Sequence, residues 1–193
     1  MRRFEASELK RFLKAMDEFL DHPFEFWLIG GSAAALGYDV KNTTKDLDTL
    51  DAKHMLITSA IESARRSTGL NIPIETAGFY DAPCDFEDRA VVVSIEGLKR
   101  LVVKVPEKHD LVLMKMMRGE EPDLAVAAEI HRLHGLDMDT LIDRYLDEMD
   151  AAIGRRSMLD LNCLALISRL FGEPTEKEAE ERIQARRSGP QRE

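Results

Sequence analysis

Asp46 and Asp48, two residues apart in TKDLDTL, are the side chains whose types and spacing most directly specify chemistry in this chain. Side chains on an extended strand alternate between faces, so the two carboxylates share one face while Leu47 points to the other. Carboxylates held side by side repel each other unless a cation sits between them. Mg²⁺ (or Mn²⁺) suits such a pair, because a hard ion takes a few carboxylates and completes its shell with water and phosphate oxygens. Upstream, the apolar run FEFWLI (residues 24–29) ends abruptly on Gly30, Gly31 and Ser32. A strand that ends in Gly-Gly and enters a helix presents backbone N–H groups where the helix dipole favours an anion, and Ser32 adds a hydroxyl donor. It is not a Walker A loop, which requires a Gly-Lys-Ser/Thr ending. Taken singly, each feature also has an ordinary reading, as a solvated strand face or a common turn. Thirteen residues lie between Ser32 and Asp46, enough for one helix and a return to an adjacent strand. A phosphate cradle and a metal-binding pair can then converge.

The elements that would position them follow from periodicity. Leu9, Phe12, Leu13, Met16, Phe19 and Leu20 mark one face of a helix that starts near Ser7 or Glu8 and ends before Pro23. SAAALGY is helix-compatible up to Gly37, and DLDTL alternates as a half-buried strand. Helical spacing over residues 52–67 places Leu56, Ile57, Ala60 and Ile61 inward, with Gly69 as the stop. Strands are expected at 72–76, 90–95 and 101–105, with a loop over 77–89 and a turn at Gly97. From Pro106, read as part of a first helical turn, every segment has helical spacing. Leu111, Met114 and Met117 form one stripe, and residues 123–134 form a second helix. Leu141, Ile142, Tyr145, Leu146 and Met149 line a third, capped by Asp137 or Asp139, and Ser157 is expected to cap a fourth. Past Pro174 the chain is polar and reads as a solvated or frayed helix with no role of its own. The fold class is α+β: a small mixed β-sheet core flanked by helices (residues 1–105), a helical region (106–172) and a charged tail (173–193).

At this point the sequence resembles the DNA polymerase β-like nucleotidyltransferase superfamily. Its signature is an apolar strand, Gly-Gly or Gly-Ser, a short helix, then Asp-hydrophobic-Asp or Asp-hydrophobic-Glu, read here in FWLIGGSAAALGYDVKNTTKDLDTL. Thr44-Lys45 before Asp46 is similar to the small prokaryotic members, as is DAPCDFEDRA (residues 81–90). EKHDLVLMKMMRGEEPDL (residues 107–124) resembles the helical segment of the stand-alone, AbiEii-like type, with Lys115 and Asp123 at the matching positions. The resemblance covers roughly residues 24–135. It implies transfer of a nucleoside monophosphate from an NTP, with Asp46 and Asp48 holding the metal and Gly30, Gly31 and Ser32 at the phosphates. It further implies that Lys115 contacts phosphate and Asp123 orients it, with Lys45 and Arg89 as further substrate contacts. A third carboxylate is often added from a later strand, and Glu75 is the best candidate. Glu120 and Val126 depart from the pattern, which has Arg and Asp there. The resemblance also implies an RNA (tRNA among them), protein or small-molecule acceptor, and a toxin–antitoxin or phage-defence setting with a cognate antitoxin.

Bulk properties bound the rest. A chain of 193 residues with 44% hydrophobic content can bury a core, and 27 Lys and Arg against 36 Asp and Glu give a net charge of −9. That balance argues against a nucleic-acid-coating surface without excluding a local groove lined by Lys41, Lys45, Arg65, Arg66 and Arg89. Cys84 and Cys163 lack metal-type spacing and read as reduced thiols, so a soluble cytoplasmic protein is expected, with no signal peptide or membrane anchor. His131 and His134 lack a third zinc ligand. Two other functions remain: a catalytically silent nucleotide-binding or regulatory protein of the same fold, and a phosphatase using Asp46-Leu47-Asp48-Thr49 as its nucleophile motif. The polar NTTK before Asp46 argues against the phosphatase, whose motif follows an apolar strand.

Overall fold

The spacing of Leu9, Phe12, Leu13 and Met16 puts all four on one face of helix α1 (Ala6–Glu18), and all four are buried. They are seen in a computed structural model that describes residues 2–41, 44–50, 52–77 and 81–188. Gly78 of the expected loop, with Asn42 and Thr43 before the aspartates, lies outside the described residues. The chain divides into two units, Met1–Tyr80 with Glu87–Glu107, and Asp81–Phe86 with Lys108–Glu193.

In the first unit the start of α1 is closed by a capping box between Glu5 and Glu8, which satisfies amides that no helical carbonyl reaches. Its apolar face packs on α3 (Thr58–Thr68). Near its C-terminal end the buried Asp17 carboxylate accepts the amides of Lys99 (3.0 Å), Arg100 (2.7 Å) and Leu101 (2.6 Å). Those amides open strand β5 (Leu101–Val105), whose residues alternate between buried Leu101, Val103 and Val105 and half-buried neighbours. β5 is the middle strand of three. It runs parallel to β1 (Phe24–Trp27), with Phe24 opposite Leu101, and antiparallel to β4 (Val91–Val92). A second sheet pairs β2 (Leu47–Thr49) parallel to β3 (Ile74–Thr76), and a bridge between Leu28 and Thr49 joins it to the end of β1. Helix α2 (Gly30–Gly37) follows β1 and buries Ala33, Ala34, Ala35 and Leu36. The mixed sheet with flanking helices agrees with the expected α+β class.

Two expectations in this unit are corrected. The strand read over 90–95 shortens to Val91–Val92; the Val93 amide still donates to the Val103 carbonyl at 2.9 Å, and the chain leaves the ladder after it. The helix read from residue 52 begins as a 3₁₀ turn (Ala52–Ile57), and Leu56 is 78% exposed rather than inward. A tighter turn eclipses side chains every three residues and shifts the apolar face.

The second unit contains α4 (Lys108–Met116), α5 (Glu121–His134), α6 (Met138–Glu148), α7 (Arg156–Phe171) and α8 (Glu173–Ser188). Of the two candidate caps for α6, Asp137 is the one used, accepting the Thr140 amide at 3.1 Å. Ser157 does not cap α7: the helix starts one residue earlier and Arg155 is its cap position. The polar tail is a docked helix. α8 buries only Ala179 and Ile183, and its Arg182 reaches Asp139 and Asp143, each at 2.6 Å, while Arg186 reaches Asp147 at 2.6 Å. Those aspartates recur every four residues along one α6 face, where like charges would otherwise repel.

Burial pushes the Asp17 carboxyl up, but the three amide bonds outweigh it and hold the carboxyl below its ordinary value. A carboxyl held low in the fold stabilises above its unfolded value, about 3.9, and that contribution is lost as pH falls through the folded value. Asp17→Ala should therefore cost about 3 kcal/mol at pH 7 by urea denaturation, since three amides lose their acceptor. The advantage of wild type over Asp17→Asn should shrink between pH 7 and pH 3.

Candidate active site

The turn from β1 into α2 lies directly against β2. The Ile29 amide donates to the Asp48 carbonyl at 3.0 Å. Gly30 has φ +64, and a Cβ there would stand 2.6 Å from Asp48 Oδ2. Only a residue without a side chain fits both the backbone angle and the neighbouring carboxylate. At Gly31 the corresponding position is 3.1 Å from the Thr44 hydroxyl. That hydroxyl donates to the Asp46 carbonyl at 3.2 Å and lies 3.4 Å from Asp46 Oδ1. Gly30, Gly31, Thr44, Asp46 and Asp48 are thus assembled at one place in the first unit. Thr44 is itself fixed from the N-terminal arm, through reciprocal backbone bonds with Phe4 at 2.7 and 3.1 Å.

Leu47 opens β2 and is fully buried beside half-buried Asp48; Asp46, half-buried too, lies in the bend just before the strand, so the strand expected from residue 46 starts one residue later. Glu75 stands opposite Asp48 in the β2–β3 register and is exposed. Register partners in parallel strands share a face, so Glu75 lies on the side of the aspartates. Among the described residues no three His, Cys, Asp or Glu side chains form a group that could hold a metal. The donor set offered is two half-buried carboxylates, and Glu75, exposed on the neighbouring strand, is not gathered with them. All are hard oxygen donors, which fits Mg²⁺ or Mn²⁺ with water and phosphate oxygens completing the shell. Among the described residues, Asp46 meets only the Thr44 hydroxyl, so its carboxylate keeps acceptor capacity that the protein does not use.

Other expected contacts fall differently. Ser32 is fully buried and its hydroxyl donates to the Ile29 carbonyl at 3.0 Å, closing the first turn of α2. Lys45 is exposed and Arg89 half-buried. Arg65, one of the groove candidates, is engaged structurally, donating to Glu62 at 2.5 Å and to the Ile72 carbonyl at 2.8 Å. His131 Nδ1 accepts the Leu136 amide at 3.0 Å.

In the second unit, Lys115 is buried and does not extend to the surface. Its Nζ donates to Asp123 Oδ1 at 2.9 Å. Arg118 grips the same carboxylate with Nε at 2.9 Å and Nη2 at 2.8 Å. Burial raises the Asp123 carboxyl, but the bonds and charges from Arg118 and Lys115 outweigh it and hold it below its ordinary value. Two cations on one buried carboxylate keep both in fixed positions. Arg118 carried no motif signal beyond its closeness in sequence, and the arm residue Phe4 carried none. Cys163 is buried, which pushes its thiol up to about 12 and makes it a poor nucleophile.

Gly30→Ala tests the close approach. A methyl there must displace the Asp48 carboxylate and adopt a left-handed backbone, so thermal unfolding should report a loss of about 2 kcal/mol, and a crystal structure should find Asp48 rotated away.

Among the described residues no helix is long and apolar enough to cross a membrane. No curated protein and no solved structure matches the chain. The family described as a nucleotidyltransferase of unknown function (DUF6036) does match, over residues 7–168, and the chain belongs to that family.

Proposed function

We propose that the chain transfers a nucleoside monophosphate from an NTP to an acceptor, with Asp46 and Asp48 holding Mg²⁺ (or Mn²⁺). The observation that carries the reading is the contact of the Gly30–Gly31 turn with Asp48 and Thr44. It puts the turn that opens α2 against the Asp48 carboxylate and against Thr44, whose hydroxyl is the contact of the Asp46 carboxylate among the described residues. When bound, the metal would neutralise the phosphate charge that develops in an in-line displacement. The Gly31 and Ser32 amides would receive phosphate oxygens at the positive end of the α2 dipole. The Ser32 hydroxyl, already donating to Ile29, would set the shape of that turn. Lys45 and Arg89 would add positive charge on the substrate side. By the resemblance, Lys115 would contact phosphate and Asp123 would hold it in place. Fixed charges aimed at developing charge are commonly the largest catalytic contribution. An RNA end, a protein hydroxyl or a small molecule can each serve as acceptor in this scheme. A toxin–antitoxin or phage-defence setting enters on the resemblance alone.

A second reading has its own observation. Glu75 is exposed and, among the described residues, the carboxylates are not gathered into a three-ligand group, as a silent nucleotide-binding protein of the same fold would allow. Calorimetric titration of each NTP with Mg²⁺ separates the possibilities. Wild type should bind at least one NTP, and Asp46→Asn/Asp48→Asn should weaken binding by about tenfold or more, equivalent to about 1.4 kcal/mol. Equal binding by the variant would remove the aspartates from the site. Labelled NTP offered with tRNA and protein extracts should then yield labelled product and pyrophosphate; metal-dependent binding without product would favour the silent protein.

A further inference from the structure

One face of the sheet in the first unit is packed and the other is not. Phe24 and Phe26 of β1, with Leu28 just after it, turn inward together with Leu101, Val103 and Val105 of β5, and all six are buried. The residues between them take the opposite face. There Glu25 is exposed, Trp27, Val102 and Lys104 are half-buried, and Val92, opposite Lys104 in the β4 register, is exposed. Trp27 and Lys104 are themselves register partners. Lys104 Nζ lies 5.2 Å from the centre of the Trp27 ring and 2.9 Å from Glu25 Oε1. The Trp27 indole N–H donates to the same carboxylate. The chain's single tryptophan is thus held at its ring and at its N–H, on the side of the sheet that these strands leave partly open.

Asp48 lies on that same face. Leu28 and Thr49 form an antiparallel bridge and both are buried, so Trp27 and Asp48, each one residue removed, fall on the other side. In this register the Ile29 amide meets the Asp48 carbonyl at 3.0 Å. Trp27 is then the diagonal cross-strand neighbour of Asp48, at about 7–8 Å. A phosphate held at Asp48 and a base on Trp27 would be separated by a gap that a ribose spans. We infer that Trp27 is the stacking platform for the nucleobase of the NTP, with Glu25 and Lys104 fixing the indole. The inference rests on the metal and phosphate site proposed at Asp48, and it assigns the part of the nucleotide that the aspartates and glycines do not hold. An aliphatic side chain would cover this face as well, but an indole offers a plane on which any base can stack, so the platform tolerates different bases. Lys104, tied to Glu25 and drawn to the ring by its π electrons, positions the indole.

Because the chain has one tryptophan, its fluorescence reports on this residue alone. The whole protein is titrated with each NTP and with inorganic pyrophosphate, all with Mg²⁺, and affinities are read in parallel by calorimetry. Saturating NTP should quench the Trp27 emission, whereas pyrophosphate, which brings phosphate but no base, should leave it nearly unchanged. Trp27→Leu should bind the NTP about tenfold more weakly and pyrophosphate as wild type does. Trp27→Phe, which keeps a smaller aromatic plane, should recover most of that loss. The wild-type quench requires no substitution, so it decides the matter even if Trp27→Leu does not fold. NTP binding that leaves the Trp27 emission unchanged would overturn the inference. So would an NTP affinity in Trp27→Leu that is unaltered or that falls in step with pyrophosphate affinity; each of these results leaves the metal and phosphate reading standing. Failure of folded wild type to bind any NTP would overturn that reading, and the inference with it.

Discussion

Asp48 Oδ2 stands 2.6 Å from the point that a Cβ on Gly30 would occupy, and the first unit is arranged around that lack of space. The β1–α2 turn can lie on β2 only because residue 30 contributes no side chain and accepts a left-handed backbone. Once it lies there, the Ile29 amide reaches the Asp48 carbonyl and Leu28 bridges to Thr49, so the two sheets are joined at this crossing. The turn that opens α2 and the Asp48 backbone of β2 are then held by main-chain bonds rather than by flexible side chains. A site built on such elements keeps its geometry without a loop having to close over it.

That crossing needs a rigid β1, and β1 depends on β5. The paired register of β1 and β5 begins at Phe24 and Leu101, and the Leu101 amide is one of the three that Asp17 accepts. A buried carboxylate on the last turn of α1 thus sets where the central strand starts, and through the register where β1 ends and Gly30 falls. A one-residue slip in this pairing would turn Leu101, Val103 and Val105 outward. The Asp17 contacts make such a slip costly, because three amides would have to find other acceptors.

Features with a local cause were legible in the sequence, and features with a distant cause were not. The α1 face, the β5 alternation and the order of strand, Gly-Gly, helix and Asp-Leu-Asp are fixed by neighbours in the chain, and the structure has them. Asp17 looks like any polar residue on the far side of a helix, since the amides it accepts are more than eighty residues away. Phe4 equally gives no sign of pairing with Thr44. α8 reads as solvated because its interface with α6 is ionic: arginines facing aspartates leave no apolar stripe to detect. Ser32 shows how position can engage a side chain before any ligand does. Its type suggested a donor for a ligand, whereas its position at the start of a buried helix gave its hydroxyl a backbone acceptor first.

The treatment of carboxylates across the molecule sets Asp46 apart. Asp17 accepts three amides. Asp110 accepts Arg144 at 2.8 Å, Asp123 accepts two cations, and Asp160 takes the Tyr145 hydroxyl at 2.5 Å and Arg187 at 3.0 Å. Asp17, Asp110 and Asp123 are buried and Asp160 is half-buried, and each is compensated by donors of matching number or charge, as lowered dielectric surroundings demand. Asp46 is half-buried, yet among the described residues it has one hydroxyl at 3.4 Å. A carboxylate so lightly compensated is stable enough to persist because, half-buried, it is still reached by water. It is also where a cation and a phosphate would gain most on arrival, since neither would first have to break an existing ion pair. The physical content of the proposed metal role lies in that contrast within a single chain, between acids whose partners the fold supplies and one whose partner it leaves open.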